Sequence, residues 1–292
     1  MKKIISYSLY GQKPKYLEGL KHNIDLLDEV FQDPSWKIRV YYDDSVPESK
    51  LIKHDRVEYN KVINDVNYMF WRFYAWDDPD VEVFLSRDLD DRLNFWDYNM
   101  VQEWEKSNHD FFSGRCHLSH NIEILGGLWG GKPRKFSFSM VELVNKFQDK
   151  HDTTKYNDDQ IFLADFVYPL VKEKTLSFGF YFGHGCADHI NLPLDTGGLK
   201  TQTPIGNANN INEKLIITEH NITEACGVYE PHQKNWESKC SSSFGYHSEQ
   251  SDAKYKFLKN NYSKIKEIKD LSHEAYLGIP KHLIRGNKFL FV

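Results

Sequence analysis

An alternation of strand and helix patterns opens the chain. Residues 3–10 form an apolar, β-prone run that ends at Gly11, and residues 15–31 carry leucine and isoleucine at helical spacing after Pro14. A second β-rich run, residues 36–42, closes at the turn-like sequence Asp-Asp-Ser-Val-Pro. Strand, helix and strand in this order predict a parallel sheet covered by helices, and therefore an α/β fold.

A buried-strand pattern at residues 81–86 runs directly into an acidic cluster, RDLDDR. The cluster is therefore expected at the carboxyl end of a strand, where open α/β sheets place their ligands. Asp88 and Asp90, one residue apart, can both bind a hard divalent cation through oxygen, and Asp91 is a further candidate ligand. The alternative interpretation is a solvated acidic turn that caps the following helix.

Further segments complete the predicted catalytic domain. Helices are predicted at residues 69–76 and 98–105, a strand at 111–112, and helices at 139–148 and 159–168. Beyond about residue 190 the sequence is rich in Gly, Asn, Thr and Pro, and its periodicity weakens. We therefore expect a catalytic domain over 1–190 and a C-terminal extension over 191–292 that packs on it.

Composition and charge exclude several classes of protein. The formal net charge is -5 without a long run of Lys or Arg, so a nucleic-acid partner is not expected. No stretch reaches the roughly 18 consecutive apolar residues of a membrane span. The cysteines are scattered, which indicates a reducing compartment, and the N-terminal apolar run is too short and polar for a signal peptide. We expect a cytoplasmic protein without a membrane span.

Six motifs in a fixed order carry a resemblance to a known family. They are Tyr7-Ser8-Leu9-Tyr10-Gly11, Tyr41-Tyr42-Asp43-Asp44-Ser45-Val46-Pro47, Trp71-Arg72-Phe73, Arg87-Asp88-X-Asp90-X-Arg92, Leu125-Gly126-Gly127-Leu128-Trp129-Gly130 and Asp159-Gln160-X-Phe162-Leu163, where X is any residue. Together they resemble a group of bacterial and viral glycosyltransferases with a GT-A fold, similar in organisation to glycosyltransferase family 8. The resemblance covers roughly residues 4 to 170. It implies a Rossmann-like, mixed sheet flanked by helices.

The resemblance also implies a site for a nucleotide-sugar. Ser8, Tyr10 and Gly11 would lie against the base and ribose, and Asp43 or Asp44 would approach the base.

Asp88 and Asp90 would bind Mn²⁺ or Mg²⁺ together with the diphosphate. Arg72 is counted among the donor-binding residues. Arg87 could pair with the carboxylates or with phosphate, whereas a structural pairing is favoured for Arg92.

The transferred sugar would lie between two further motifs. Gly126 and Gly127 would let the backbone approach the sugar or acceptor closely, because they lack a Cβ atom. Asp159 and Gln160, at a helix start, would contact that sugar as the catalytic residues. The alternatives are a bulged hairpin for the glycines and a helix cap for Asp159. The tryptophans of these motifs, Trp71 and Trp129, are interpreted as core residues.

The third metal ligand is a departure from the family pattern. A His-Asp pair often follows the segment equivalent to residues 168–170, but here the chain reads Leu-Ser-Phe-Gly-Phe at 176–180. His184 is the candidate replacement and His189 a second one, since a neutral imidazole also suits manganese.

The sequence therefore favours a metal-dependent glycosyltransferase, a hexosyltransferase that uses a UDP-sugar donor and a hydroxyl acceptor on a glycan, protein or small molecule. Similarity to family 8 favours retention of configuration, while an inverting reaction with Asp159 as base stays open. Two other classes compete: a phosphatase of the haloacid dehalogenase type, which also has an Asp-X-Asp after a strand, and a calcium-dependent carbohydrate-binding module.

Overall fold

A computed structural model of the chain describes residues 1–63, 66–115, 122–151, 157–179 and 185–191. The expected C-terminal extension, apart from its first residue, and His184 lie outside the described residues. Three of the cysteines, Cys116, Cys226 and Cys240, also lie outside them.

The described chain alternates strands and helices. The strands are β1 (Lys2–Leu9), β2 (Trp36–Tyr42), β3 (Val57–Lys61), β4 (Val81–Arg87), β5 (Phe111–Arg115), β6 (Leu128–Gly131), β7 (Thr175–Gly179) and β8 (Asp188–Asn191). The α-helices are α1 (Pro14–Val30), α2 (Phe95–Lys106), α3 (Met140–Gln148), α4 (Asp158–Phe162) and α5 (Tyr168–Val171). Tyr68–Asp77 forms 3-10 turns, and shorter 3-10 turns span Glu48–Lys50, Pro133–Lys135 and Lys172–Lys174.

The strands form one sheet in the order β3-β2-β1-β4-β6-β5-β7-β8. Strand β6 runs antiparallel to both of its neighbours, β4 and β5, whereas every other described pairing is parallel. The chain that leads into β6 therefore lies at the edge where β1, β2 and β4 end. The predicted mixed sheet flanked by helices is confirmed.

Apolar side chains cover both faces of the sheet. On one face, Leu20 and Leu27 of α1 and Trp104 of α2 pack in a cluster with Ile5 and Leu85 of the central strands. On the other face the cluster is mainly aromatic and draws on the 3-10 segment, α3, α4 and β6. Because the central strands are covered on both faces, most of their residues are buried, including the polar Ser6 of β1 and Ser86 of β4.

Trp129 of β6 lies at the centre of the aromatic face and is fully buried. Its ring contacts Phe84 and Phe111 of the neighbouring strands, and Trp76 lies with its ring centroid 5.9 Å away. Trp71 is buried in the same cluster. Both tryptophans are thus core residues, as the sequence interpretation holds.

The helix predicted over residues 159–168 is divided. Asp158–Phe162 is α-helical, Leu163–Val167 forms a wider π-helical turn, and Tyr168–Val171 resumes the α-helix. Pro169 has no amide hydrogen and cannot make the usual bond to the carbonyl four residues before it, which accounts for an irregular turn just ahead of it.

Candidate functional site

Several of the sequence motifs meet at one edge of the sheet. The carboxyl ends of β1, β2 and β4 lie side by side there, and the chain entering β6 joins them because that strand is reversed. This is the edge at which open α/β sheets bind ligands.

Two serine hydroxyls of β1 hold the backbone of Arg72 in position. The Ser6 hydroxyl donates a 2.6 Å hydrogen bond to the Arg72 carbonyl oxygen, and the Arg72 amide donates to the Ser8 hydroxyl at 3.0 Å. The structure thus places Ser8, expected beside the base and ribose, against the backbone of the 3-10 segment. These two bonds set the position from which the arginine side chain extends.

The Arg72 guanidinium joins two carboxylates from different parts of the chain. Its Nη1 atom donates to Asp88 Oδ1 and its Nη2 atom donates to Asp159 Oδ2. The Arg72 and Asp159 side chains are only 8% and 6% exposed, whereas Asp88 is 41% exposed. Asp88 therefore presents the accessible carboxylate of this group, and Asp159 forms its buried wall.

The charges of this group shift the ionisation of its members. Burial alone would lower the pKa of Arg72, but Asp88 and Asp159 raise it, so the guanidinium stays protonated. Burial raises the pKa of Asp159 above its ordinary value, although the positive charge of Arg72 acts in the opposite direction. The Asp159 Oδ1 atom also accepts a 3.0 Å hydrogen bond from the Gln160 amide.

Gly126 and Gly127 lie directly against these carboxylates. A Cβ atom on Gly126 would overlap the Asp159 carboxylate and the Arg72 guanidinium, and one on Gly127 would overlap the Asp88 carboxylate. The turn is held by Ser86, whose hydroxyl donates a 2.6 Å hydrogen bond to the Gly126 carbonyl. Because they lack a Cβ atom, the two glycines bring their backbone close to the carboxylates of Asp88 and Asp159.

The second carboxylate of the Asp-X-Asp sequence has its own cation. The Lys15 Nζ atom, from the first turn of α1, lies 2.8 Å from Asp90 Oδ2. The same ammonium lies 4.5 Å from the centre of the Tyr16 ring. Asp91 faces inward, where its carboxylate accepts from the Arg92 amide, and Arg92 itself donates to the Leu89 carbonyl at 2.9 Å.

Asp88 and Asp90 fit a hard divalent cation in the chemistry of their donor atoms. Each carries carboxylate oxygens, and each uses one oxygen to bind a protein cation. Within the described residues no group of three or more His, Cys, Asp or Glu side chains is placed to hold a metal ion. His184, the further ligand predicted from the sequence, lies outside the described residues. His189 hydrogen-bonds through Nδ1 to the Ser177 hydroxyl at 2.9 Å.

An aromatic and polar surface follows the ends of β1 and β2. The Tyr10 ring stacks on Tyr68 with centroids 3.4 Å apart, and the centroid of the Tyr16 ring lies 5.9 Å from that of Tyr10. Gly11 adopts a left-handed backbone conformation with φ of 65°. Its amide donates a 2.6 Å hydrogen bond to the Ser45 hydroxyl, so the two strand ends are tied together.

The two aspartates after β2 differ in their surroundings. Asp43 accepts hydrogen bonds from the backbone amide and the hydroxyl of Ser45, which fixes its carboxylate beside Gly11. Asp44 is 88% exposed at its side chain and pairs with Lys61 at 2.5 Å. Asp43 is thus the more rigidly placed of the two candidates.

Arg87 and Gln160 have other partners than the sequence suggests. The Arg87 guanidinium is 2% exposed and makes bonds of 2.7 and 2.9 Å to both carboxylate oxygens of Asp97, with a further bond to the Trp129 carbonyl. Arg87 is therefore buried in a structural ion pair and is not exposed for contact with a phosphate group. The Gln160 side-chain amide donates to Asn157 Oδ1 at 2.9 Å. Asn157, with a left-handed φ of 74°, is the residue before the helix, so Asp159 lies inside the first turn.

Sequence reasoning missed Lys15 and Tyr68. Both follow from topology: Lys15 begins the helix that leaves β1, and Tyr68 begins the 3-10 segment that also carries Arg72. The signal for Lys15 was its position just after Pro14 at a predicted helix start, which brings it to the edge where β1 ends.

Comparisons with known proteins give structural relatives at low identity. No protein-family model and no curated protein matches the sequence. Similar solved structures include the glycosyltransferase GlyE of Streptococcus pneumoniae, at 14% identity and a TM-score of 0.44 over 61% of this chain and 45% of that one. They also include the galactosyltransferase LgtC in complex with donor and acceptor sugar analogues, at 10% identity and a TM-score of 0.43 over 62% of this chain and 75% of that one.

A third similar structure is the mannosyltransferase PcManGT of Pyrobaculum calidifontis in complex with GDP-Man and Mn²⁺. Identity is 13% and the TM-score 0.39, over 60% of this chain and 54% of that one. The chain thus spans about half the length of GlyE and of PcManGT. Among the helices that the structure describes, none has the length and apolar character to cross a bilayer.

Proposed function

We propose that this chain is a glycosyltransferase of the GT-A type that moves a hexosyl group from a UDP-sugar to a hydroxyl group of a glycan, protein or small molecule. The observation that carries the proposal is the pairing of Asp88 and Asp159 through Arg72 at the carboxyl edge of the sheet. A strand-end carboxylate and a helix-start carboxylate thereby frame the place where a donor would lie.

The nucleotide would lie along the ends of β1 and β2. Tyr10 offers a ring face for the base, and Asp43, fixed by Ser45, offers carboxylate oxygens to an N–H group of the base. The left-handed turn at Gly11 keeps side-chain atoms away from the ribose. Tyr68, which now stacks on Tyr10, would have to share that ring with the base or leave it.

Asp88 and Asp90 would hold Mn²⁺ or Mg²⁺ with the diphosphate, and a third ligand would come from outside the described residues. When bound, the metal would neutralise the charge that develops on the leaving diphosphate. Arg72 orients the Asp88 carboxylate by donating to one oxygen and leaving the other free of the guanidinium. The same arginine lowers the cost of burying Asp159.

Asp159 would bind hydroxyl groups of the transferred sugar. Both of its oxygens already accept a hydrogen bond, one from the Arg72 guanidinium and one from the backbone amide of Gln160. A carboxylate oxygen can accept more than one hydrogen bond. This engagement suits a positioning group better than a base, so the outcome we propose is retention of configuration. Gly126 keeps the backbone close to the same carboxylate.

Donor hydrolysis tests the proposed function. The parent protein, incubated with UDP-sugars and Mn²⁺, is expected to release UDP, and chelation of the metal is expected to stop release. Asp88→Asn and Asp90→Asn should lose turnover by at least about 100-fold while keeping the fold, because each removes a metal-ligand charge. Asp25→Asn, on the exposed side of α1, is the matched control and should behave like the parent.

Other outcomes of the same assay would identify the competing classes. Release of phosphate from a simple phosphomonoester without any nucleotide-sugar would support a phosphatase. Glycan binding with calcium but no donor turnover would support a binding module. Chelator-resistant turnover in both variants would contradict the proposed role of Asp88 and Asp90.

A further inference from the structure

The ammonium of Lys15 occupies one oxygen of the second Asp-X-Asp carboxylate. The Nζ atom lies 2.8 Å from Asp90 Oδ2, with the Lys15 side chain 41% and the Asp90 side chain 14% exposed. Lys15 reaches this position from α1, whereas Asp90 follows β4. A metal that used Asp90 Oδ2 would therefore have to displace a cation that the protein itself supplies.

The charges around the two carboxylates nearly cancel without any ligand. Arg72 and Lys15 are the cations, and Asp88, Asp90 and Asp159 are the carboxylates they contact. A nucleoside diphosphate brings concentrated negative charge to such a site and needs more positive charge than this set offers while Lys15 is held by Asp90.

The two cations differ in how firmly they are held. Arg72 is buried, bonded at both terminal nitrogens and anchored through its backbone to Ser6 and Ser8. Lys15 is partly exposed, has a flexible four-carbon stem and makes a single described ion pair, to Asp90. Only Lys15 can change partner without opening the core.

We propose that Lys15 is a donor-binding residue that exchanges partners, pairing with Asp90 in the free protein and with the diphosphate of the nucleotide once a divalent cation binds Asp90. The proposal rests on the function proposed above. Metal and lysine then compete for Asp90, whereas lysine and nucleotide attract each other, so removal of the lysine charge affects the two ligands in opposite directions.

Calorimetric titrations of the whole chain test this exchange. Lys15→Gln is expected to bind Mn²⁺ in the absence of nucleotide about threefold more tightly than the parent, because Asp90 loses a competing cation. At saturating Mn²⁺ the same variant is expected to bind UDP about tenfold more weakly, because a charged hydrogen bond to the diphosphate is lost. Lys15→Arg should lie near the parent in both titrations.

Lys13→Gln is the matched control, since this exposed lysine stands at the same end of α1. It should bind Mn²⁺ and UDP like the parent. A Lys15→Gln variant with parental affinity for either ligand would overturn the exchange while leaving the proposed function standing. A folded parent that binds neither Mn²⁺ nor UDP would overturn both proposals.

Discussion

Asp88 and Asp159 share one guanidinium although they come from the loop after β4 and the first turn of α4. Arg72 lies between them, and each carboxylate also lies against a glycine of the turn before β6. Four segments of the chain thus converge on one charged group. A Cβ atom added at either glycine is therefore expected to displace a carboxylate of this group.

Asp159→Asn tests the role of the buried carboxylate. The variant keeps the shape of the side chain but removes its charge, so it should bind UDP and Mn²⁺ nearly normally and transfer sugar at least about tenfold more slowly, a barrier change of about 1.4 kcal/mol. Titration of the donor by calorimetry beside initial rates separates the two effects. Gln160→Ala is the comparison variant. Its loss of transfer rate should be smaller, because the Gln160 side-chain amide already donates a hydrogen bond to Asn157. Parental turnover in Asp159→Asn would show that the carboxylate has no part in transfer.

Gly127→Ala tests the close packing against Asp88. The added Cβ atom overlaps the Asp88 carboxylate, so the carboxylate must move, and affinity for Mn²⁺ should fall by at least about tenfold because metal binding depends on the orientation of its ligands. Gly179→Ala is the control, because its Cβ atom would meet its nearest neighbour at 3.4 Å, an ordinary contact. Equal Mn²⁺ affinities in the two variants, measured by calorimetry, would show that the glycine is not needed there.

Arg87→Met tests the structural role of the buried arginine. The substitution leaves the Asp97 carboxylate, only 4% exposed, without the cation that faces both of its oxygens. The free energy of unfolding should fall by about 3–5 kcal/mol, measured by urea denaturation. Arg134→Met, at an exposed arginine, should change stability by less than about 0.5 kcal/mol. A stable Arg87→Met variant with weakened UDP binding would instead favour a phosphate contact.

Glu58→Gln tests the ion-pair network at the far end of the sheet. Burial by itself would raise the pKa of Glu58. The hydrogen bonds from Lys2 and Arg39 lower it by more, so the pKa lies below its ordinary value of 4.5. A lowered carboxyl pKa stabilises the fold above the ordinary pKa, and the stabilisation is lost as pH falls through the lowered value. At neutral pH the parent should therefore have a larger free energy of unfolding than the Glu58→Gln variant. In acid the two free energies should converge. A difference that grows in acid would contradict this sign.

Local sequence patterns predicted the elements with strong apolar periodicity. Strand β2 begins and ends where the sequence indicates, and α1 differs by one residue at each end. Strand β3 was missed because its sequence, VEYNK, is half polar, as suits an edge strand that covers little of the core. Strand β7 was missed because its sequence, TLSFG, is short, partly polar and ends in glycine, although all five residues are buried.

Pairing between distant side chains could not be predicted from spacing. Arg87 directly precedes Asp88 in the sequence and Arg72 lies 16 residues before it, yet of the two arginines it is Arg72 that contacts the Asp88 carboxylate. Arg87 ends a strand whose alternation directs its side chain beneath the sheet edge, toward Asp97 of α2. Which face a strand-end charge takes depends on register with β6, and that register is a long-range property.

The position of Trp129 provides an intrinsic spectroscopic probe of the site. Its indole lies 5.9 Å from that of Trp76, close enough for the two transitions to couple in near-ultraviolet circular dichroism. Trp129 stands two residues after Gly127, and its carbonyl accepts from Arg87. A ligand that shifts the glycine turn should therefore alter the spectrum, so occupancy can be followed without label or coupled assay.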